Sequence, residues 1–158
     1  MGAVYFYHLT RSPVEAALPQ LLTRALGAGW RVVVRGTDAA RLDGLDDTLW
    51  LGAEDGFLPH GRAGGPHDAD QPVLLTQGTA LPNGAACLMI IDGAEVDAAE
   101  AAALQRVCIL FDGTDEAAMA QARQHWRTMA GAGLEAQYWS EESGRWEKKR
   151  EQAARVSG

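Results

Sequence analysis

The chain has 158 residues, 47% of them hydrophobic, which suits one globular domain and excludes a disordered chain. Its formal net charge is −7, and no Lys/Arg run precedes Lys148-Lys149-Arg150, which argues against tight, direct binding to DNA. No apolar run is long enough to cross a bilayer, and the first residues lack the basic and apolar regions of a signal peptide, so a cytoplasmic location without membrane contact is the expectation.

The elements alternate along the chain. Residues 4–9 read as a strand. Ser12 and Pro13 fit the N-cap and first position of a helix whose apolar face is Ala16, Ala17, Leu21, Leu22, Ala25 and Leu26. Gly27 and Gly29 end it, and 30–34 is a short β-branched run, a buried strand. Thr37 is expected to cap a second helix over 38–50, with acids in its first turn. The stretch 51–71, rich in Gly, Pro, His and Asp, reads as a long loop, which in a compact domain is usually functional or mobile. Strands are expected over 73–75, 86–91 and 107–111, with a helix near 97–104 between the last two. Thr114 is expected to cap a long helix reaching about residue 130 and ending at Gly131 and Gly133. A final strand covers 134–139, and the charged residues after the Ser143-Gly144 turn read as a frayed tail. This order predicts an α/β fold: a single three-layer domain with a mostly parallel sheet flanked by helices. Its expected extent is 1–146, with 147–158 as a charged C-terminal tail.

Catalytic and cofactor chemistry leaves little trace. There is no phosphate-cradling Gly-x4-Gly-Lys-Ser/Thr loop and no Gly-x-Ser-x-Gly elbow. The Gly27/Gly29 and Gly131/Gly133 pairs follow helices and read as C-caps rather than dinucleotide fingerprints. His60 and His67, with Asp68 and Asp70, offer only a loose metal set without fixed geometry. Cys87 and Cys108 sit in apolar strand-like runs and read as buried free thiols. No cofactor, no metal and no catalytic activity of its own are expected. A small nucleotide-binding enzyme on the same scaffold is the alternative, since fold does not fix function.

Two sets of residues stand out. Leu49-Trp50 and Phe57-Leu58-Pro59-His60 bracket an acidic loop, and large aromatics in such a segment either cover the core or dock a partner. Arg123, Trp126 and Arg127 lie on one side of the last helix by their spacing. They are either a solvent-facing arginine pair beside a core tryptophan, or a pocket with an aromatic wall and guanidinium groups able to hold a carboxylate.

Taken together, these strings resemble the chi subunit of bacterial DNA polymerase III. The resemblance runs from about Val4 to Trp146: the aromatic first strand, Gly29-Trp30-Arg31-Val32-Val33-Val34, the Trp50 and Phe57-Leu58-Pro59-His60 strings, and Phe111-Asp112-Gly113 leading into the helix of Arg123, Trp126 and Arg127. It implies a non-catalytic accessory subunit that links the clamp-loader complex to the C-terminal tail of single-stranded DNA-binding protein during DNA replication. It also implies a psi subunit, or an equivalent clamp-loader partner, at Trp50, Phe57, Pro59 and His60. The acidic tail peptide would sit at Arg123, Trp126, Arg127 and Trp146, with DNA contacted only indirectly. Met119 stands where some relatives carry a further basic residue. An adaptor for a repair helicase would use the same faces.

Overall fold

Strands buried on both faces need a helix layer on each side, and the two periods in this sequence supply both. The structure, a computed structural model, describes residues 2–51 and 60–153. In chain order the elements are β1 (Ala3–Leu9), α1 (Val14–Gly27), β2 (Val32–Arg35), α2 (Ala39–Leu51), β3 (His60–Arg62), β4 (Val73–Thr76), β5 (Cys87–Ile90), α3 (Ala98–Ala103), β6 (Arg106–Asp112), α4 (Glu116–Gly131), β7 (Glu135–Ser140) and β8 (Glu147–Gln152). They form one eight-stranded sheet in the order β3-β4-β2-β5-β6-β1-β7-β8. Every pairing is parallel except β7 with β8. The expected α/β three-layer architecture is therefore the one observed.

Alternation along β1 divides the core. Val4 and Phe6 join Val107 and Ile109 under Ala101 of α3 and Ala122, Trp126 and Met129 of α4. On the other face Val32, Val34, Cys108 and Leu110 lie under Leu18 and Leu22 of α1 and Leu42 and Leu45 of α2. Cys87 and Cys108 are buried and free on neighbouring strands. A hydrogen bond to Cys108, together with burial, pushes the Cys87 thiol well above its ordinary pKa.

Several local expectations fail, each for a physical reason. Ser12 does not cap α1: Pro13 holds the N-cap position, and the Ser12 hydroxyl donates to Glu141 Oε2 at 2.9 Å. Thr37 donates to the carbonyl of Asp92, while Asp38 accepts from Ala40 N at 2.9 Å, so α2 has no acid inside its first turn. Thr114 donates to Asp112 Oδ1, and Asp115 caps α4 by accepting from Ala117 N and Ala118 N. In α2 and α4 an adjacent carboxylate, favoured by the positive helix end, displaces a hydroxyl. The glycine reading holds. Gly29 and Gly133 have φ of +84° and +83°, and the next amides, Trp30 N and Leu134 N, reach back to Ala25 O and Met129 O. Those are helix C-caps closed by left-handed glycine.

The stretch expected as loop carries β3 and a 3-10 turn at Asp68–Asp70 among its described residues. The expected frayed tail carries a strand among its described residues. Residues 147–152 are β8, an edge strand whose charged composition suits a solvated edge.

Candidate functional site

The α4 face that meets the sheet is fixed by period. Ala122, His125, Trp126 and Met129 point inward, and Arg123 and Arg127 flank them in solvent. Trp126 is 7% exposed and rests on Phe6 at 5.3 Å between ring centroids. Tyr138 of β7 meets the same indole at 6.3 Å, near perpendicular. Across β7 the Arg150 guanidinium lies 4.9 Å from the Trp126 ring centroid. Ala122, Arg123, Trp126, Arg127, Tyr138 and Arg150 line a cavity of about 250 Å3.

The arginines of this cavity keep their donors. Arg127 makes one long bond to Gln124 Oε1 at 3.4 Å. Among the described residues, none of Arg123, Arg127 and Arg150 forms an ion pair with a carboxylate. Arg35 shows the contrast. It is 3% exposed, pairs with both Glu100 oxygens at 2.9 and 2.7 Å, and donates to the carbonyls of Gly78, Thr79 and Glu95. That guanidinium is saturated by the fold. The three around Trp126 line one cavity beside aromatic rings and have no carboxylate partner among the described residues, an arrangement able to hold a carboxylate.

Trp146 is not part of this cavity. It meets Tyr7 edge-on at 5.5 Å, on the α1 side of the sheet, because Tyr7 and Phe6 alternate across β1. There it helps line a separate cleft of about 230 Å3 with Tyr5, Trp30 and Arg106, whose guanidinium stacks on Tyr5 at 3.8 Å. Tyr138 and Arg150 were not picked out from the sequence. Tyr138 could have been found from the alternation of β7, which sets it on the face of Ala136. Arg150 could not, because its direction depends on a β-bulge described below.

At the other sheet edge His60 is 5% exposed in β3, with Nε2 at 3.0 Å from Asp46 Oδ1 and 3.1 Å from the Asp46 carbonyl of α2. Phe57 and Pro59 lie outside the described residues, as does the side chain of Trp50. Asp68 accepts from Gly64 N and Gly65 N. Among the described residues no group of three or more His, Cys, Asp or Glu is placed to hold a metal.

A nucleotide site would be expected where adjacent parallel strands send their chains to opposite faces, here at the carboxyl ends of β1 and β6. The backbone amides of the β1–α1 loop at that position are taken by a carboxylate of the chain itself. Glu141 is 5% exposed, and its Oε1 accepts from Thr10 N, Arg11 N and Ser12 N at 3.1, 2.8 and 2.6 Å. Burial pushes its pKa up, but the amides of Ser12, Arg11 and Thr10 outweigh that and leave it lowered. The backbone donors that would cradle a phosphate already hold a carboxylate.

A family model described as DNA polymerase III chi subunit, HolC, matches residues 1–137. A curated protein of Rickettsia prowazekii (strain Madrid E), named probable DNA polymerase III subunit chi, is 28% identical over 90 residues, 57% of this chain and 54% of that protein. The chain thus spans about half the length of the curated relative it matches. Among the described residues no helix is long and apolar enough to cross a membrane.

Proposed function

The chain belongs to the DNA polymerase III chi subunit family, and we propose that it is a non-catalytic accessory subunit linking a clamp-loader complex to the acidic tail of single-stranded DNA-binding protein. The observation that carries this reading is the pair Arg123 and Arg127, without carboxylate partners among the described residues, flanking Trp126 on a chain of net charge −7. A protein this acidic repels an acidic peptide at long range, so capture needs a local cationic clamp and an apolar slot beside it. The self-filled loop at Glu141 weighs against the nucleotide-binding alternative. Phe57, Pro59 and His60, with Trp50, form the proposed face toward psi or an equivalent clamp-loader subunit.

A short acidic peptide ending in Pro-Phe with a free carboxylate, titrated by fluorescence anisotropy, tests the tail site. A charge-assisted hydrogen bond contributes about 1.5–3 kcal/mol, so Arg127→Ala should weaken binding roughly ten-fold or more. Arg106→Ala, on the opposite sheet face, should leave it unchanged. Affinity should fall as salt rises. Equal binding of a peptide lacking the terminal Phe would count against this reading.

A further inference from the structure

β8 lies beyond residue 137, where the family match ends, yet it sends a side chain into the cavity over α4. In the β7–β8 ladder Trp139 faces Lys148, whereas Tyr138 faces Arg150, so Lys149 is an extra residue at a bulge. In a regular ladder Lys149 would stand opposite Tyr138 and Arg150 would turn to the α1 side. The bulge therefore selects which cation reaches Trp126. Lys148 and Lys149 are paired within the strand, to Glu151 at 3.1 Å and Glu147 at 3.2 Å. Among the described residues the Arg150 side chain of this run has no ion pair or hydrogen-bond partner, and it is held over the indole at 4.9 Å. Gln152 Nε2 donates to Ala130 O at 3.0 Å and ties β8 to the last turn of α4.

We propose that Arg150 is a third guanidinium of the peptide site and grips a carboxylate of the bound acidic peptide. The proposal rests on the tail-peptide reading above. Three like charges around one cavity repel each other, and a peptide carboxylate relieves that repulsion. Stacking on Trp126 orients the planar fork for a bidentate bond before the ligand arrives, which a lysine cannot reproduce. The site then spans a helix and the edge strand, so the last strand of the chain is part of its function.

The test is anisotropy titration of the same acidic Pro-Phe peptide against full-length variants, with thermal melts alongside. Arg150 is exposed, so its variants should melt as the parent does. Arg150→Ala should weaken binding several-fold and flatten the salt dependence. Arg150→Lys should recover only part of the loss, and Arg150→Glu should weaken binding more than alanine does. Lys148→Ala, on the other face of the strand, should bind as the parent. If Arg150→Glu binds normally while Arg127→Ala does not, Arg150 is no part of the site and this proposal is overturned. If both bind normally, or the parent protein does not bind the peptide, the tail-peptide reading itself fails.

Discussion

Glu141 is a buried carboxylate that ties the end of β7 to the loop after β1. Its carboxylate holds three consecutive backbone amides and the Ser12 hydroxyl at the entry to α1. Glu141→Ala should cost at least about 2 kcal/mol, since several charge-assisted bonds vanish together. The folded pKa lies below the unfolded one, so this stabilisation is present above about pH 4.3 and is lost as pH falls through the folded value. Melts of parent and Glu141→Ala should therefore differ most near neutral pH and converge in acid. A constant difference across that range would refute the linkage. None of this was legible in the sequence, because the partners of Glu141 are about 130 residues away. The helix caps show a milder case. A capping residue near each of α2 and α4 was legible, but which of two neighbours takes the role depends on where the other hydroxyl finds an acceptor.

At the scale of elements, the strands and helices whose period was strong appear close to where they were expected, and α4 carries its arginines beside a tryptophan as its spacing implied. The same spacing left open whether Trp126 was core or pocket wall, and the structure makes it both. It is 7% exposed, packs on Phe6, and lines the cavity. Trp126→Ala should thus lower stability by about 3–5 kcal/mol, by analogy with other buried aromatics, so the arginines are the cleaner probes of binding. β8 escaped the sequence reading because a run of Glu, Lys, Lys, Arg, Glu and Gln has neither apolar alternation nor β-branched residues. Its strand character comes from the hairpin with β7 and not from its own propensity. Amide exchange discriminates the two descriptions. Amides of β8 bonded to β7 should be protected, whereas a frayed tail would exchange at the rate of a free peptide.

At the scale of the molecule, His60 and Arg150, one described residue from each proposed partner face, sit at opposite edges of the sheet. His60 is on β3 and Arg150 on β8, the first and last strands of eight. At about 4.8 Å per strand, seven steps separate them by roughly 34 Å, several Debye lengths at physiological salt. His60 and Arg150 are too far apart to share a contact, and effects at sites so far apart usually add within about 0.3–0.5 kcal/mol. A linker needs this independence, because each partner must bind whether or not the other is present. Phe57→Ala, three residues before His60 in the chain, should therefore leave tail-peptide affinity unchanged. Arg127→Ala should leave the clamp-loader partner bound. Either change alone should break the three-way complex with that partner and single-stranded DNA-binding protein, read by co-elution on a sizing column. Loss of peptide binding in a folded Phe57→Ala protein would mean that the faces are coupled, and a simple bridge between two independent sites would no longer describe the molecule.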